Sequence, residues 1–321
     1  MTRVLIFGGT GLIGAHLTLR LLRDGHHVTC VDLREPSLSP LLDQITDSPR
    51  FEFVRHDVTM PLHIECDRIF NLASPTYLHH DPSSPYDTMR TNTLGTIRTL
   101  ELARENRARL VFASSGDVYL TCNGSSSMEL HRDESFYSTL SEAKRSAEAL
   151  IRAYIRQHGV DARVARIFNT YGTGTSPDDG RAVMSMIAAA LTGRDIIING
   201  DGDQIRTFCW VGDTVEALVR LMEAATTPRL FALNIGGLYE ISVKQLAATI
   251  IRLSGSKSRI VSTDPRSNDE RRKVPDLQLT HRLLGWQPEV SLSEGLMRTI
   301  RYARRMIERE LAARRTWVEV S

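Results

Sequence analysis

Near the start of the chain, Gly8-Gly9-Thr10-Gly11-Leu12-Ile13-Gly14 puts Gly8, Gly11 and Gly14 at three-residue spacing. Glycines in that pattern allow a tight turn and let backbone amides approach a ligand closely; a helix starting there offers unpaired N–H groups to an anion. The chemistry of such a turn is to cradle a pyrophosphate, and it requires a strand before it and a helix after it. Both are expected here: RVLIF over 3–7 reads as a buried strand, and Leu12, Ile13, Leu17, Leu21 and Leu22 recur at helical spacing over 12–24. Asp32 ends the next apolar run, 18 residues after Gly14. A carboxylate there accepts hydrogen bonds from an adenosine ribose and repels a 2′-phosphate, so NAD is the expected cofactor; Arg34 is the neighbour that would suit the phosphorylated form. After a third run at 51–55 come His56, Asp57 and Val58. Asp57 either holds the adenine amino group or caps the turn that follows.

These residues need a sheet to hold them. Further strands are expected at 68–72, 110–113 and 162–166, with helices at 85–105 and 141–157 between them. Strand–helix alternation implies a parallel sheet covered on both faces, an α/β fold of the Rossmann-type doubly wound kind. Beyond residue 168 a loop rich in Gly, Thr, Pro and Asp at 172–180 precedes helices expected at 182–191, 211–224, 243–254 and 292–312. The division is therefore an NAD-binding domain over 1–168 and a smaller, mainly substrate-binding lobe over 169–321, with interleaved segments.

Composition narrows the partners. The chain has 321 residues, 41% of them hydrophobic, and 40 basic against 38 acidic side chains. A balance of +2 argues neither for nucleic acid nor for electrostatic attachment to a membrane. No apolar run approaches the ~18 residues that span a bilayer, and no signal peptide is read before the first strand. Cys30, Cys66, Cys122 and Cys209 form no CxxC pair, so reduced thiols in a cytoplasmic protein are expected.

The remaining motifs are NLASP (71–75), TNTLGT (91–96), RVARIFNTYG (163–172), DDGRAV (178–183), NGDGDQIRTFCWVGD (199–213) and LGWQPEVSLSEGL (284–296). Together they span nearly the whole chain and resemble the UDP-glucuronate decarboxylases, or UDP-xylose synthases, of the extended short-chain dehydrogenase/reductase superfamily. The resemblance implies a hydride cycle on a nucleotide-sugar, with C4 oxidised by bound NAD, the neighbouring position labilised, and the hydride returned. It puts Leu12, Ile13, Val58, Leu72, Ala73 and Ser74 beside the dinucleotide. Asn169, Arg181 and Arg206 fall on contacts to the nucleoside diphosphate, and uridine is implied. It also implies a homodimer paired through the helices at 85–105 and 141–157.

Position by position, the resemblance assigns Lys144 to the lysine of a YxxxK motif, there to bond the nicotinamide ribose. The tyrosine of that motif falls on Leu140, which carries no proton. Tyr137, three residues upstream, is one substitute acid/base; otherwise it packs or touches substrate. The strand-end Ser-Thr-Ser-Glu pattern becomes Ser114-Ser115-Gly116-Asp117. Ser115 keeps a hydroxyl for the sugar, and Asp117 is either a general base or a turn cap. The arginine expected two residues before Pro275-Asp276 is Lys273, with Arg272 one earlier as a substrate contact. The loop after NLASP presents Tyr77, His79 and His80 toward the sugar or the solvent. Two histidines with no third ligand in view make no expected metal site. The expectation is an NAD-dependent epimerase, decarboxylase or dehydratase with an atypical acid/base; the alternative is a non-catalytic homologue or partner subunit that binds the same ligands.

One outcome follows from Asp32 directly. Asp32→Ala removes the ribose acceptors and should weaken NAD binding by about 1–3 kcal/mol, the range for a hydrogen bond to a charged group. Calorimetric titration that finds wild-type affinity in the variant would remove Asp32 from the site.

Overall fold

Side chains along a strand alternate between its faces, and in this protein both faces meet an apolar layer. The computed structural model describes residues 1–36, 39–75, 85–119, 139–178, 180–225, 231–265 and 270–320. β1 (Arg3–Phe7) leads through the glycine turn into α1 (Leu12–Arg23), then β2 (His27–Asp32) and β3 (Phe51–Arg55). β4 (Arg68–Asn71), α2 (Pro85–Asn106), β5 (Arg109–Ser115), α3 (Thr139–His158) and β6 (Ala162–Ile167) complete the first half. Next come β7 (Thr170–Tyr171), α4 (Ala182–Leu191), β8 (Ile196–Asn199), β9 (Ile205–Thr207), β10 (Cys209–Trp210) and α5 (Val211–Glu223). The chain ends with β11 (Ala232–Ile235), β12 (Glu240–Ser242), α6 (Val243–Ser254), β13 (Ile260–Thr263), β14 (Arg272–Lys273), α7 (Gln278–Leu284) and α8 (Leu292–Val320).

The main sheet has seven strands in the order β11-β6-β5-β4-β1-β2-β3, all parallel. Val4 and Ile6 of β1 join Val28 and Phe70 against Leu17 and Leu21 of α1 and Leu218 and Leu221 of α5. Leu5 and Phe7 face the other way, with Ile69 and Phe112 against Leu100 of α2 and Ile151 of α3. A third core gathers α4, α6 and α8 around β8 and β10. α6 shows why such an element starts and stops where it does. Ser242 and Gln245 form a reciprocal capping box at its start, and Gly255 ends it in the left-handed conformation at φ 70°.

The helices expected at 182–191 and 243–254 have those bounds, and the others begin or end within a few residues of expectation except α8, which runs for 29 residues. The short strands β7–β14 and the helix α7 were not read from the sequence. Segments of two to four residues are too brief to display a period. β11 returns from the second half to the edge of the main sheet beside β6, and α5 packs on that sheet.

Trp286, in the LGWQPEV run, locks this return. It is 2% exposed among α5, α7 and the sheet, and its indole nitrogen donates to Asp213 O at 3.1 Å. Trp286→Ala should cost about 3–5 kcal/mol of stability, the range for emptying an aromatic site. Urea unfolding followed by circular dichroism measures it; a loss under about 1 kcal/mol would mean the site collapses without cost.

Candidate functional site

The sheet order reverses between β4 and β1, and a doubly wound sheet opens its ligand crevice outside the carboxyl ends of its strands at such a point. A cleft of about 520 Å³ lies there. Its floor is the glycine turn. Gly8 has φ 77°, and a Cβ on it would lie 2.8 Å from the backbone nitrogen of Ala73. A Cβ on Gly14 would run into the Gly8 carbonyl oxygen. Gly11 caps α1 without a side-chain hydrogen bond, and the first turn holds no acidic residue. The helix therefore presents its amides and the positive end of its dipole with no side chain to satisfy them, the arrangement a pyrophosphate requires.

At one end of the cleft, Asp32 accepts from Thr10 N and Arg34 N, each at 3.1 Å, so its carboxylate braces the turn that it faces. Asp57 accepts from Thr59 N at 2.9 Å and Thr59 Oγ1 at 2.8 Å while also lining the cleft, and Arg90 of α2 pairs with it at 3.3 Å. Burial disfavours its charge, but the bonds from Thr59 and Arg90 outweigh that and hold its pKa below the usual value. The turn cap and the cleft position thus belong to one residue. Leu12, Ile13, Val58, Leu72, Ala73 and Ser74 line the same cleft.

At the other end the cleft reaches Ala113, Ile167 and Phe168. Lys144, 4% exposed on α3, donates to Ala113 O at 2.7 Å and sits 4.7 Å from the centre of the Phe112 ring. Burial pushes its ammonium down to about 7, against the attraction of Glu148. Leu140 stands one turn earlier on the same helix. Ser115 Oγ donates to Asp117 at 2.9 Å and accepts from Asp117 N at 3.1 Å. Asp117 also forms an ion pair with Lys273 of β14. The sequence offered Asp117 as a general base or a turn cap; the fold adds an ammonium partner from β14. Arg272 turns outward into a bidentate pair with Glu240 at 2.6 and 3.0 Å, so Lys273 is the cation that meets the β5 turn.

A second cavity, of about 260 Å³, adjoins the cleft. The two share Leu12, Thr170 and Arg181. Asn169 lines it and donates to Thr207 O at 3.1 Å. Tyr171, Thr175, Met184 and Phe208 line it too. Tyr171 and Phe208 fall inside two of the motif runs, but none of the four was singled out beforehand as a site residue. Arg206 donates to Ile205 O and Glu270 O, each at 2.8 Å, and is not among the residues lining either cavity. Tyr77, His79, His80 and Tyr137 lie outside the described residues.

Comparison with known proteins agrees with this geometry. The model of the NAD dependent epimerase/dehydratase family matches residues 4–236. UDP-glucuronic acid decarboxylase 1 of Xenopus tropicalis is 38% identical over 318 residues, covering 96% of this chain and 73% of its own. UDP-glucuronic acid decarboxylase 3 of Arabidopsis thaliana is 38% identical over 305 residues, covering 92% of this chain and 86% of its own. Among solved structures, the UDP-glucose 4-epimerase of Thermotoga maritima with UDP-glucose matches with a TM-score of 0.82 at 25% identity, covering 95% and 99% of the two chains. The UDP-glucuronic acid 4-epimerase of Bacillus cereus, in complex with UDP-glucuronic acid and NAD, matches with a TM-score of 0.80 over 95% and 99%, and at 24% identity it speaks to the fold alone. These relatives are enzymes, which does not favour the non-catalytic alternative. With the family match running through the whole dinucleotide cleft and relatives at 38% identity over nearly the full chain, this protein belongs to the NAD dependent epimerase/dehydratase family, nucleotide-sugar enzymes of the extended short-chain dehydrogenase/reductase fold.

Proposed function

We propose that this protein oxidises and re-reduces C4 of a UDP-linked uronic acid and, while C4 is a ketone, releases the C6 carboxylate as carbon dioxide or inverts C4. The observation that carries this reading is the junction of the dinucleotide cleft with the second cavity at Leu12, Thr170 and Arg181. A nucleotide-sugar whose nucleoside lies in the second cavity, with Asn169 and Arg181 toward its diphosphate, extends its sugar into the cleft. The names of the relatives at 38% identity support UDP-glucuronic acid as substrate and decarboxylation as outcome.

NAD, when bound, supplies the hydride acceptor. Gly8, Gly11 and Gly14 with the open start of α1 would hold its pyrophosphate, Asp32 its adenosine ribose and Lys144 its nicotinamide ribose. The chain's own groups then divide the proton work. Leu140 neither gives nor takes a proton. Asp117, with the Ser115 hydroxyl bonded to it, is the carboxylate at the end of β5. A sugar carboxylate gives Lys273 a second anionic partner, and Asp117, freed of the ion pair, becomes an acceptor for the C4 hydroxyl proton. Lysine is a point charge without the bidentate fork of arginine, so it holds the carboxylate with little directional constraint.

Two features of the setting belong to the same reading. α2 and α3 lie side by side over one face of the sheet and are the surface proposed for a homodimer. Cys30, Cys66 and Cys209 are unpaired and buried, which supports a reducing compartment such as the cytoplasm.

Incubation with UDP-glucuronic acid, followed by mass spectrometry and NMR, should show loss of carbon dioxide with no net consumption of NAD. An unchanged sugar across a panel of UDP-uronic acids would end the proposal. Asp117→Asn should lower turnover by ~10²-fold or more with NAD still bound, the size of a general-base contribution; an intact rate there together with an inactive Tyr137→Phe would move the base to Tyr137. Light scattering at micromolar concentration should report a dimer, and a monomer would remove α2 and α3 as an interface.

A further inference from the structure

One polar row crosses three neighbouring strands of the main sheet beside the end of β5. By strand register, Ser114 of β5 stands opposite Arg166 of β6, and Arg166 stands opposite Asn234 of β11. Three polar side chains thus line up across neighbouring buried strands, where apolar residues are the rule. A carboxylate from α3 closes the row. Glu148, 2% exposed, accepts from Ser114 Oγ at 2.7 Å and receives both arms of Arg166, at 2.9 Å from Nε and 2.6 Å from Nη2. The remaining nitrogen of Arg166 donates to Tyr119 Oη at 2.6 Å, and that hydroxyl donates to Asn234 Oδ1 at 2.8 Å.

This row touches both halves of the catalytic constellation. Glu148 lies four residues after Lys144 on α3, and the two grip consecutive residues of β5. Lys144 bonds Ala113 O while Glu148 bonds the Ser114 hydroxyl. Tyr119 ends the short turn Gly116–Tyr119 that carries Asp117 directly after Ser115, and Arg145 Nε ties that turn to α3 through Val118 O at 3.0 Å. A buried ion pair of this completeness is weak evidence for stability, since apolar residues of similar size often do as well.

We propose that Glu148 and Arg166 are positioning residues: the Glu148 carboxylate holds Lys144 as an ammonium at the Ala113 wall of the cleft, and Arg166 tempers that carboxylate while fixing the turn that bears Asp117. The inference rests on the reading of Lys144 as the group that meets the cofactor. Lys144 is fully buried, and among the described residues its nitrogen has one hydrogen-bond acceptor, Ala113 O, and one aromatic face, Phe112. Glu148 is the charged group acting on it, itself faced by Arg166 from β6 and by Arg152 one turn on at 3.9 Å. Burial lowers the Lys144 pKa to about 7 even with Glu148 opposing that shift. Without Arg166, an unpaired buried carboxylate would hold the Lys144 proton more strongly and leave the β5 turn untied.

The chain has four lysines, Lys144, Lys244, Lys257 and Lys273, so the side-chain resonances of ¹³C-labelled lysine can be followed through a pH titration of the whole protein, with Lys144→Met assigning the signal. Glu148→Gln keeps the shape and the acceptor for Ser114 but removes the charge, and should lower the Lys144 midpoint by about one pH unit or more. Arg166→Met should raise it. Should Arg166→Met fail to fold, the double variant Glu148→Gln with Arg166→Met removes both charges and should again titrate below wild type. An unmoved Lys144 midpoint in Glu148→Gln overturns the inference, because a purely structural role would not touch it. NAD affinity measured across the same pH range separates the two layers. In wild type it should weaken as pH rises through the Lys144 midpoint, follow that midpoint in Glu148→Gln, and lose this component in Lys144→Met. If Lys144→Met leaves the NAD profile intact, the cofactor reading of Lys144 falls, and the positioning role falls with it.

Discussion

The site depends first on how closely α1 approaches β1. Gly14 sits against the Gly8 carbonyl, and Gly8 in turn packs at a positive φ against the backbone of Leu72 and Ala73 after β4. Any Cβ at these two positions would push helix, strand and loop apart. The contact aims the uncapped start of α1 across the crevice and brings the NLASP loop to its rim. Asp32 then accepts from Thr10 N, so the residue proposed to meet the ribose also secures the turn proposed to meet the pyrophosphate.

Around that contact the protein uses two kinds of cement. The faces of the sheet are held by aliphatic and aromatic burial, which is strong but has no preferred direction at any one contact. The carboxyl end of β5 is held by directed polar contacts: Lys144 to Ala113, Glu148 to Ser114, Arg145 to Val118, and Lys273 of β14 to Asp117. Hydrogen bonds fix angle and distance as burial does not. Their concentration within a few residues of Ser115 matches the need to hold several groups at once, and it couples their charges. An ammonium in a dry setting keeps its proton only if a carboxylate stands near, and that carboxylate is tolerable only if a guanidinium answers it.

The second lobe contributes surfaces in place of a fold of its own. α4, α6 and α8 enclose a separate core, but β11 and α5 return to the main sheet and Trp286 ties α7 to them. The cavity that continues the cleft is therefore walled by both halves, with Leu12 from the first and Val183, Met184 and Phe208 from the second. Lys273 reaches Asp117 by the same logic, since β14 is anchored beside β9 in the second lobe while its side chain meets the first.

The sequence by itself determined the dinucleotide half. Gly8, Gly11, Gly14 and Asp32 act through local backbone geometry, so spacing alone announces them, and the apolar runs that became β1 to β6 follow from burial on two faces. Lys144, Asp117 and Asn169 drew notice through motif resemblance, as did Leu140 at the position where that motif has a tyrosine. Tertiary structure decided the rest. That Lys273 and not Arg272 meets Asp117 depends on which side of β14 faces inward, and a two-residue strand shows no period from which to read it. That Arg206 turns to the backbone of Ile205 and Glu270 is likewise a matter of packing. The row of Ser114, Arg166 and Asn234 is the clearest case. Its members lie far apart in the chain and meet because three parallel strands share a register, and register is set by the burial of whole strand faces, which no local motif encodes.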